Sequence, residues 1–284
     1  MTWQRVCIIG VGLLGGSIGM RLRRSTLAKE VVGFGRDRRK LDRAIELKAI
    51  DRGEETFELA AHAADLVIAC TPVQQIPNSL LEASSFASSQ ALYTDVGSTK
   101  SSIVSALSST PFSHRFVGSH PIAGSDKIGV EYANANLFEN RLVIVTPANG
   151  TNRSSTESIL DFWKQLGAQT LTMTAVEHDD SMAVTSHLPH VLASMLSLTT
   201  PKDRIELTGT GWSDTTRIAA GNPQLWRQIL EENHGPVLRA MKNFATISGE
   251  WMAAMEAKDF DRVEQLLIAG KEIRDSVGNR HSSG

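Results

Sequence analysis

Three glycines near the start of the chain are the first residues whose types and spacing indicate a chemistry. Gly10, Gly12 and Gly15 form a GxGxxG pattern directly after the apolar run VCII and at the start of a helical segment. The first glycine permits a tight turn, the second lets the backbone approach a pyrophosphate, and the third lets the helix pack on the strand. Backbone N–H groups at the helix start, at Leu13 and Leu14, would then face the phosphates. The pattern predicts a dinucleotide site; the alternative is a glycine-rich turn that only packs.

The end of the second predicted strand bears on the choice between NAD and NADP. About 20 residues after the glycines an acid would normally bind the ribose hydroxyls of NAD. Here that position holds Gly35, and Arg36 follows it. A guanidinium suits the 2′-phosphate of NADP, and the missing acid removes a repulsion. We therefore predict a preference for NADP; the alternative is that Asp37 does the acid's work and Arg36 is only solvated.

Two further motifs follow predicted strands, where an open α/β sheet forms its ligand crevice. Thr71 and Pro72 lie in CTPV, and Ser98 lies in DVGSTK. We expect all three beside the cofactor, with Ser98 placed to hydrogen-bond the nicotinamide, the substrate or a catalytic histidine. Ser98 is also a candidate N-cap for a helix that begins at Thr99, and the two roles are compatible.

His120 is the candidate catalytic base. It lies in GSHPIAGS, after a predicted strand and before a proline and glycine turn. A lone histidine is usually structural, but this one falls at the expected crevice, and the pKa of an imidazole can be tuned across neutrality. We predict that His120 accepts a hydroxyl proton as hydride leaves the substrate.

The second half of the chain offers two more candidate groups. His187 and His190 in SHLPH are three residues apart and therefore share a helix face, although a metal site there lacks an obvious third ligand. Arg217 is a candidate clamp for a substrate carboxylate, because its planar guanidinium forms paired hydrogen bonds. The alternative for Arg217 is a surface salt bridge with Asp214.

The elements that must position these residues alternate along residues 1–174. Several of the short apolar runs are continuous, as expected for parallel strands buried on both faces, and helical segments such as Arg38–Lys48 and Ser154–Leu166 separate the runs. This βαβ pattern predicts an α/β Rossmann domain with a doubly wound, mostly parallel sheet. The candidate strands are Arg5–Ile9, Val31–Phe34, Leu66–Cys70, Leu92–Asp95, Phe116–Ser119, Leu142–Thr146 and Thr170–Met173.

Residues 175–284 carry helical periodicity and no strand pattern, which predicts an all-α domain. The clearest helix follows Gly235-Pro236, since proline favours a helix start. Apolar residues at alternating steps of four and three give it one apolar stripe, and the segment Phe260–Ile273 carries another. Either stripe suits an intradomain core or a dimer interface. The first stripe comprises Val237, Met241, Phe244, Ser248, Trp251 and Met255.

Composition narrows the class of protein. A length of 284 residues suggests two domains, and a net charge of −2 leaves no electrostatic footprint for nucleic acid or an anionic membrane. Glycines interrupt the apolar start of the chain, so we expect no targeting or transmembrane segment. Cys7 and Cys70 lie in apolar runs that are predicted to be buried strands, where a free thiol acts as a small hydrophobe. No disulfide framework is indicated, and we expect a cytoplasmic protein.

Together the motifs resemble the prephenate/arogenate dehydrogenase family of tyrosine biosynthesis over nearly the whole chain. The resemblance rests on GVGLLGGS, CTPV, TDVGSTK, GSHPIAGSDKIG, SHLPH and DTTRIAAGNPQLW, in that order. It implies oxidative decarboxylation of a cyclohexadienol, either prephenate or arogenate. Hydride would pass from the carbon bearing the ring hydroxyl to nicotinamide, while the ring carboxylate leaves as carbon dioxide. It also implies a homodimer formed through the helical domain.

The resemblance also implies roles for individual residues. His120 would take the proton of the ring hydroxyl with help from Ser98, and Arg217 would bind a substrate carboxylate. The remaining implied substrate-site residues are His187, which lines the pocket, Ser125, the polar gate residues Asp126 and Asp214, and Trp226, which approaches the partner subunit's site. Two departures from the family pattern affect this site: Ser213 stands where arginine is usual, and Asp126 stands where glutamate is usual.

Two other functions remain open from the sequence. A β-hydroxyacid dehydrogenase has a similar plan but uses a helix lysine, whereas this chain carries His187 and His190 in the corresponding segment. A non-catalytic NADP-binding sensor is the second. The intact His120 and Arg217 argue against a sensor, and Ser213 keeps it open.

Overall fold

The computed structural model describes residues 2–123 and 127–281. The chain divides into two compact units, Met1–His234 and Gly235–Gly284. The first unit contains a sheet with flanking helices and four further helices, and the second is helical. No helix among the described residues is both long and apolar enough to cross a membrane.

One eight-stranded sheet runs through the described part of the first unit, in the order β3-β2-β1-β4-β5-β6-β7-β8. Strands β1 to β6 pair in parallel, β7 is antiparallel to β6, and β8 is parallel to β7. This confirms the predicted doubly wound, mostly parallel sheet. The strands are β1 Trp3–Ile9, β2 Ala28–Phe34, β3 Arg52–Glu54, β4 Leu66–Ala69, β5 Leu92–Asp95, β6 Phe116–Pro121, β7 Leu142–Pro147 and β8 Gln169–Thr172.

Helices flank the sheet, and the described elements that follow β8 in the chain are all helical. A π-helical turn, Ala183–His187, joins α7 to α8, and a 3₁₀ turn, Arg217–Ala220, follows α9. The helices are α1 Leu13–Arg24, α2 Arg38–Glu46, α3 Phe57–Ala61, α4 Ile76–Ser84, α5 Ser101–Leu107, α6 Arg153–Gln165, α7 Ala175–Met182, α8 Leu188–Thr199, α9 Thr210–Thr216, α10 Pro223–Glu232, α11 His234–Ala257 and α12 Phe260–His281.

The continuous apolar strands are explained by two cores, one on each face of the sheet. In β1, Val6 and Ile8 pack into one core, and Cys7 and Ile9 pack into the other. Alternate residues of a strand point to opposite faces, and both faces of this sheet are covered, so all four side chains are fully buried. The two layers hold the carboxyl ends of the parallel strands rigidly at one edge of the sheet.

Four details differ from the sequence predictions. Strand β3 was not predicted, because its three residues, Arg-Gly-Glu, carry no apolar pattern; it pairs in parallel with β2. Strand β6 continues to Pro121, so His120 lies inside a strand and not after it. Helix α5 begins at Ser101 with Lys100 at its N-cap, so the prediction that Ser98 caps this helix was wrong. Helix α11 begins at His234, one residue before the Gly235-Pro236 pair.

Candidate active site

The glycine turn between β1 and α1 has the geometry of a phosphate-binding turn. Gly10 has φ +92°, and a Cβ added there would lie 2.8 Å from the carbonyl oxygen of Cys70. A Cβ on Gly15 would lie 2.2 Å from the Gly10 oxygen, so α1 packs against the turn only with glycine at this position. A Cβ on Gly12 would meet nothing within 4 Å. Gly12 thus presents open backbone directly before the first residue of α1, which fits a pyrophosphate.

A cavity of about 950 Å³ opens beside this turn. Its volume is at the upper end of the usual range for ligand sites. Residues from the ends of β1, β2 and β4 line it, as a dinucleotide site at the switch point of the sheet requires. Cavity-lining residues include Gly10, Gly12, Gly35, Arg36, Asp37, Lys40, Thr71 and Pro72. The Thr71 Oγ1 atom is buried and has no hydrogen-bond partner among the described residues, so it is available to a ligand.

Charge at the β2 end of the cavity is mainly positive. The side chains of Arg36 and Lys40 are exposed and line the cavity. Asp37 also lines it, but its Oδ1 accepts the backbone N–H of Arg39 at 3.1 Å and so caps the N-terminus of α2. The Asp37 Oδ1 atom also lies 3.6 Å from the Arg39 guanidinium. One oxygen of this acid is therefore already engaged, whereas Arg36 faces the cavity.

A fully buried ion pair lies under the carboxyl ends of β5 and β6. The Lys100 Nζ donates to the Asp95 Oδ2, and both side chains are inaccessible to solvent. Asp95 also accepts the backbone N–H groups of Gly97 at 2.8 Å and Ser119 at 3.1 Å. Burial lowers the pKa of Lys100 despite the neighbouring carboxylate. These bonds join the loop that carries Ser98 to strand β6, which carries His120.

His120 is half-buried in β6, and its Nδ1 lies 2.8 Å from the Nε2 of His178. The Nδ1 of His178 lies 2.8 Å from the Asp179 Oδ1. Asp179 in turn accepts the backbone N–H groups of Lys100 and Ser101, each at 2.8 Å. Burial, and then the nearby His178, Lys100 and His187, lower the pKa of His120 well below its ordinary value. His120 is therefore neutral at physiological pH and can accept a proton.

His187 joins the same cluster from the π-helical turn. Its Nδ1 lies 3.0 Å from the Asn233 Nδ2, which also donates to the Asp179 carbonyl oxygen at 2.8 Å. Burial lowers the pKa of His187 to about 4. A π turn re-aims side chains within a helix and is frequent at functional sites. Burial thus keeps His187 neutral, and Asn233 fixes its Nδ1.

His190 and Trp226 form a stacked pair beside His187. Their ring centroids lie 3.6 Å apart with an interplanar angle of 11°, and the Trp226 ring is 6.1 Å from that of His187. Across the described residues, no three His, Cys, Asp or Glu side chains are grouped to hold a metal ion. The two histidines of SHLPH therefore take part in a hydrogen bond and a ring stack.

Arg217 and Asp214 are both exposed, Arg217 in the 3₁₀ turn and Asp214 in α9. Within the described part of the chain these two side chains form no ion pair, so the alternative proposed for Arg217 is not seen. The 3₁₀ turn packs against α8, the helix of His190. Ser98 is half-buried between β5 and α5. The predicted substrate residues Ser125 and Asp126 lie outside the described residues.

Sequence reasoning missed the buried partners of His120. Lys100, His178, Asp179 and Asn233 all connect groups in this site, and none was predicted. The segment VEHDD reads as a polar helix surface, because nothing local shows that α7 packs on α5. A run of four titratable residues, Glu177 to Asp180, after the last predicted strand was the available signal.

Comparison with known proteins identifies the family. Residues 18–172 match the family model described as prephenate dehydrogenase, nucleotide-binding domain, and residues 174–268 match prephenate dehydrogenase, dimerization domain. This chain belongs to the prephenate dehydrogenase family. Membership of the prephenate dehydrogenase family makes it an NAD(P)-dependent oxidoreductase, as the glycine turn and the neutral histidine in β6 had indicated.

Relatives of known name agree over nearly the full chain. A prephenate dehydrogenase of Bacillus subtilis is 31% identical over 280 residues, covering 96% of this chain and 76% of that protein. A cyclohexadienyl dehydrogenase of Zymomonas mobilis is 30% identical, covering 99% and 98%. The crystal structure of prephenate dehydrogenase from A. aeolicus with hydroxyphenyl propionate and NAD+ is similar with a TM-score of 0.88, 31% identity and coverage of 98% and 99%.

Proposed function

We propose that this chain oxidises and decarboxylates prephenate with NADP as the preferred cofactor, and that arogenate is the alternative substrate. The observation that carries the reaction type is the neutral His120 near the carboxyl end of β6, in the same sheet whose β1, β2 and β4 ends line the proposed dinucleotide cavity. A bound NAD(P) would accept hydride from the ring carbon that bears the hydroxyl. The protein must therefore provide orientation, a proton acceptor and binding of the carboxylates.

His120 is the proposed proton acceptor, and Ser98 is proposed to assist it. As hydride leaves the ring carbon, the hydroxyl proton moves to the free imidazole nitrogen of His120, and the electron pair of the broken O–H bond forms the second bond of a carbonyl. When the ring carboxylate leaves as carbon dioxide, its bonding electrons pass through the ring to that oxygen. The oxygen then regains the proton, and an aromatic phenol results. One base therefore serves both events, and no net proton is consumed.

The helical part of the first unit is proposed to bind the substrate. Arg217 would bind a carboxylate, because it is exposed and free of Asp214, and His187 would donate or accept a hydrogen bond from the wall of the same site. Trp226 is held by its stack on His190. Ser125, Asp126 and Asp214 complete the proposed substrate-binding set. The usual arginine is replaced by Ser213, so Arg217 would be the main cation of this region.

The preference for NADP rests on the charge at the β2 end of the cavity. Arg36 and Lys40 are exposed and line it, and Asp37 is partly engaged as a helix cap. An acid at position 35, the usual partner of NAD, is absent. Cations in this place favour a cofactor with a 2′-phosphate.

We also propose a homodimer formed through the second unit. Helices α11 and α12 keep several large apolar side chains exposed in the single chain, including Phe244, Met255, Leu267 and Ile273. Exposed apolar surface of this kind marks an interaction site, and the matched model carries the description dimerization domain. Light scattering should give twice the chain mass. A stable monomer at micromolar concentration would overturn this proposal.

One assay tests the proposed reaction. Purified protein is mixed with prephenate or arogenate and with NADP+ or NAD+, and absorbance of the reduced nicotinamide is followed. We expect turnover of prephenate with a higher kcat/KM for NADP+. Turnover of arogenate but not of prephenate would make arogenate the substrate. Cofactor binding without turnover of either compound would favour a non-catalytic NADP-binding sensor.

A further inference from the structure

A buried dyad, Asp179 and His178, lies directly behind His120. His178 is fully buried and Asp179 is 3% exposed, so neither can contact the substrate from solvent. Their side chains and that of His120 form an unbroken series of hydrogen bonds through nitrogen and oxygen atoms 2.8 Å apart. An acid, a buried imidazole and a reactive imidazole in series can fix a tautomer and delocalise a proton.

The protonation states along this series follow from the acid. Burial alone would raise the pKa of Asp179, but hydrogen bonds from His178, Ser101 and Lys100 outweigh it, so the pKa is lowered and the group is a carboxylate. A carboxylate only accepts, so the His178 Nδ1 that faces it must carry a proton. A neutral His178 then has an unprotonated Nε2. The hydrogen bond to His120 therefore requires the proton to be on the His120 Nδ1.

This order leaves the other nitrogen of His120 free. A neutral imidazole has one N–H, so with Nδ1 protonated, Nε2 holds a lone pair. Nε2 is the atom on the opposite side of the ring from His178. The tautomer fixed by the dyad is thus the only neutral form in which His120 can take a proton through Nε2.

We propose that Asp179 and His178 are positioning residues that hold His120 in its Nδ1–H tautomer and share the proton that His120 accepts. This inference rests on the proposed role of His120. When the substrate hydroxyl gives its proton to Nε2, the Nδ1 proton of His120 moves to the His178 Nε2. His178 then carries the positive charge against the Asp179 carboxylate, and both shifts reverse when the product oxygen regains its proton.

The dyad is anchored from two independent elements. The first backbone N–H groups at the start of α5 bind the Asp179 carboxylate, and Asn233 binds the Asp179 carbonyl oxygen. Asn233 also contacts His187, so the dyad is tied to the proposed wall of the substrate site. The carboxylate cannot rotate without breaking these bonds, which keeps the hydrogen-bond series in register with β6.

Nuclear magnetic resonance tests the tautomers without turnover. Long-range ¹⁵N–¹H correlations on the ¹⁵N-histidine-labelled full chain at pH 7.5 distinguish Nδ1–H from Nε2–H imidazoles. We expect neutral Nδ1–H forms for both His120 and His178. An Nε2–H form of His120, or a His178 without a proton on Nδ1, would overturn the proposal, and this arm stands even where no substrate is turned over.

A double-mutant cycle tests whether the dyad acts through His120. His178→Gln keeps a hydrogen-bonding group near the His120 Nδ1 but cannot carry a proton. We expect kcat to fall by about tenfold or more, a part of the 10²–10⁴ that a general base contributes, with KM and the melting temperature nearly unchanged. In a His120→Asn background the same change should cost almost nothing more, because its pathway is already lost.

A simple structural role gives a different outcome. It would lower kcat by the same factor in both backgrounds, or it would lower the melting temperature and cofactor affinity together. The exposed His62→Gln is the matched control and should leave kcat unchanged. Wild-type turnover together with full kcat in His178→Gln refutes the relay alone. Absence of wild-type turnover, with the expected tautomers, refutes the proposed reaction alone.

Discussion

Replacing Arg36 by serine tests cofactor choice at a single exposed cation. The expected loss of binding free energy for NADP+ follows from the environment of Arg36. A hydrogen bond to a charged group contributes about 1.5–3 kcal/mol, but an exposed ion pair contributes about 1 kcal/mol or less because water screens it. Arg36 is exposed at the rim of the cavity, and Lys40 lies at the same end and compensates in part. We therefore expect a loss of about 1–2 kcal/mol, which is a rise of about five- to thirtyfold in KM for NADP+.

The assay compares both cofactors at saturating substrate. The KM for NAD+ should change by less than about twofold, because NAD has no 2′-phosphate to lose a partner. Arg39→Ser is the matched control: the Arg39 side chain is 94% exposed and does not line the cavity. An equal rise in KM for both cofactors in Arg36→Ser, or the same selectivity change in Arg39→Ser, would contradict the assignment of Arg36.

Three further predictions concern the turn, the buried histidine and the carboxylate clamp. Gly12→Ala should fold normally, because its Cβ meets no protein atom, and should raise the cofactor KM, because the Cβ lies where the pyrophosphate is proposed to approach. Gly15→Ala should lower the melting temperature, because its Cβ would overlap the Gly10 oxygen. Equal melting temperatures for the two variants would contradict this prediction. His187 has a folded pKa of about 4, below its ordinary value, so the unfolded chain binds more protons between pH 4 and 6.5 and stability falls as pH falls through that window. The loss in the free energy of unfolding reaches about 3 kcal/mol at the low end of the window. Denaturant titrations at pH 7 and pH 4.5 should show a smaller loss for His187→Gln than for the wild type. An equal loss in the two proteins would refute this prediction. Arg217→Ala should raise substrate KM more than it lowers kcat, and an unchanged KM would remove Arg217 from the pocket.

The sheet could be predicted because its signal is local. Several of the seven predicted strands are largely continuous apolar runs, and burial on both faces produces such runs directly. The three-residue β3 has no such run, and it is recognised only through its pairing with β2. Likewise, β6 extends through His120 because β7 pairs with it antiparallel, with His120 opposite Ile144. That pairing joins segments distant in the chain, and no local pattern encodes it.

The candidate site residues could be predicted from their residue types and motifs, but the residues that hydrogen-bond to them could not. His120 and the glycine turn stand out because few roles fit a histidine or three glycines at strand ends. His178 and Asp179 lie on a polar helix, and their burial arises only when α5 supplies backbone N–H groups to the carboxylate. Asn233 lies 46 residues from the His187 that it contacts. Such partners are set by tertiary packing, which spacing alone does not reveal.

His120→Asn measures the central claim most directly. Asparagine is close in size to the near half of the imidazole and cannot act as a base, so substrate and cofactor should still bind. Steady-state kinetics should show kcat reduced by about 10²–10⁴, with both KM values within about threefold of wild type, and His62→Asn should match wild type. Turnover close to wild type in His120→Asn would contradict the account, because the base would then lie elsewhere.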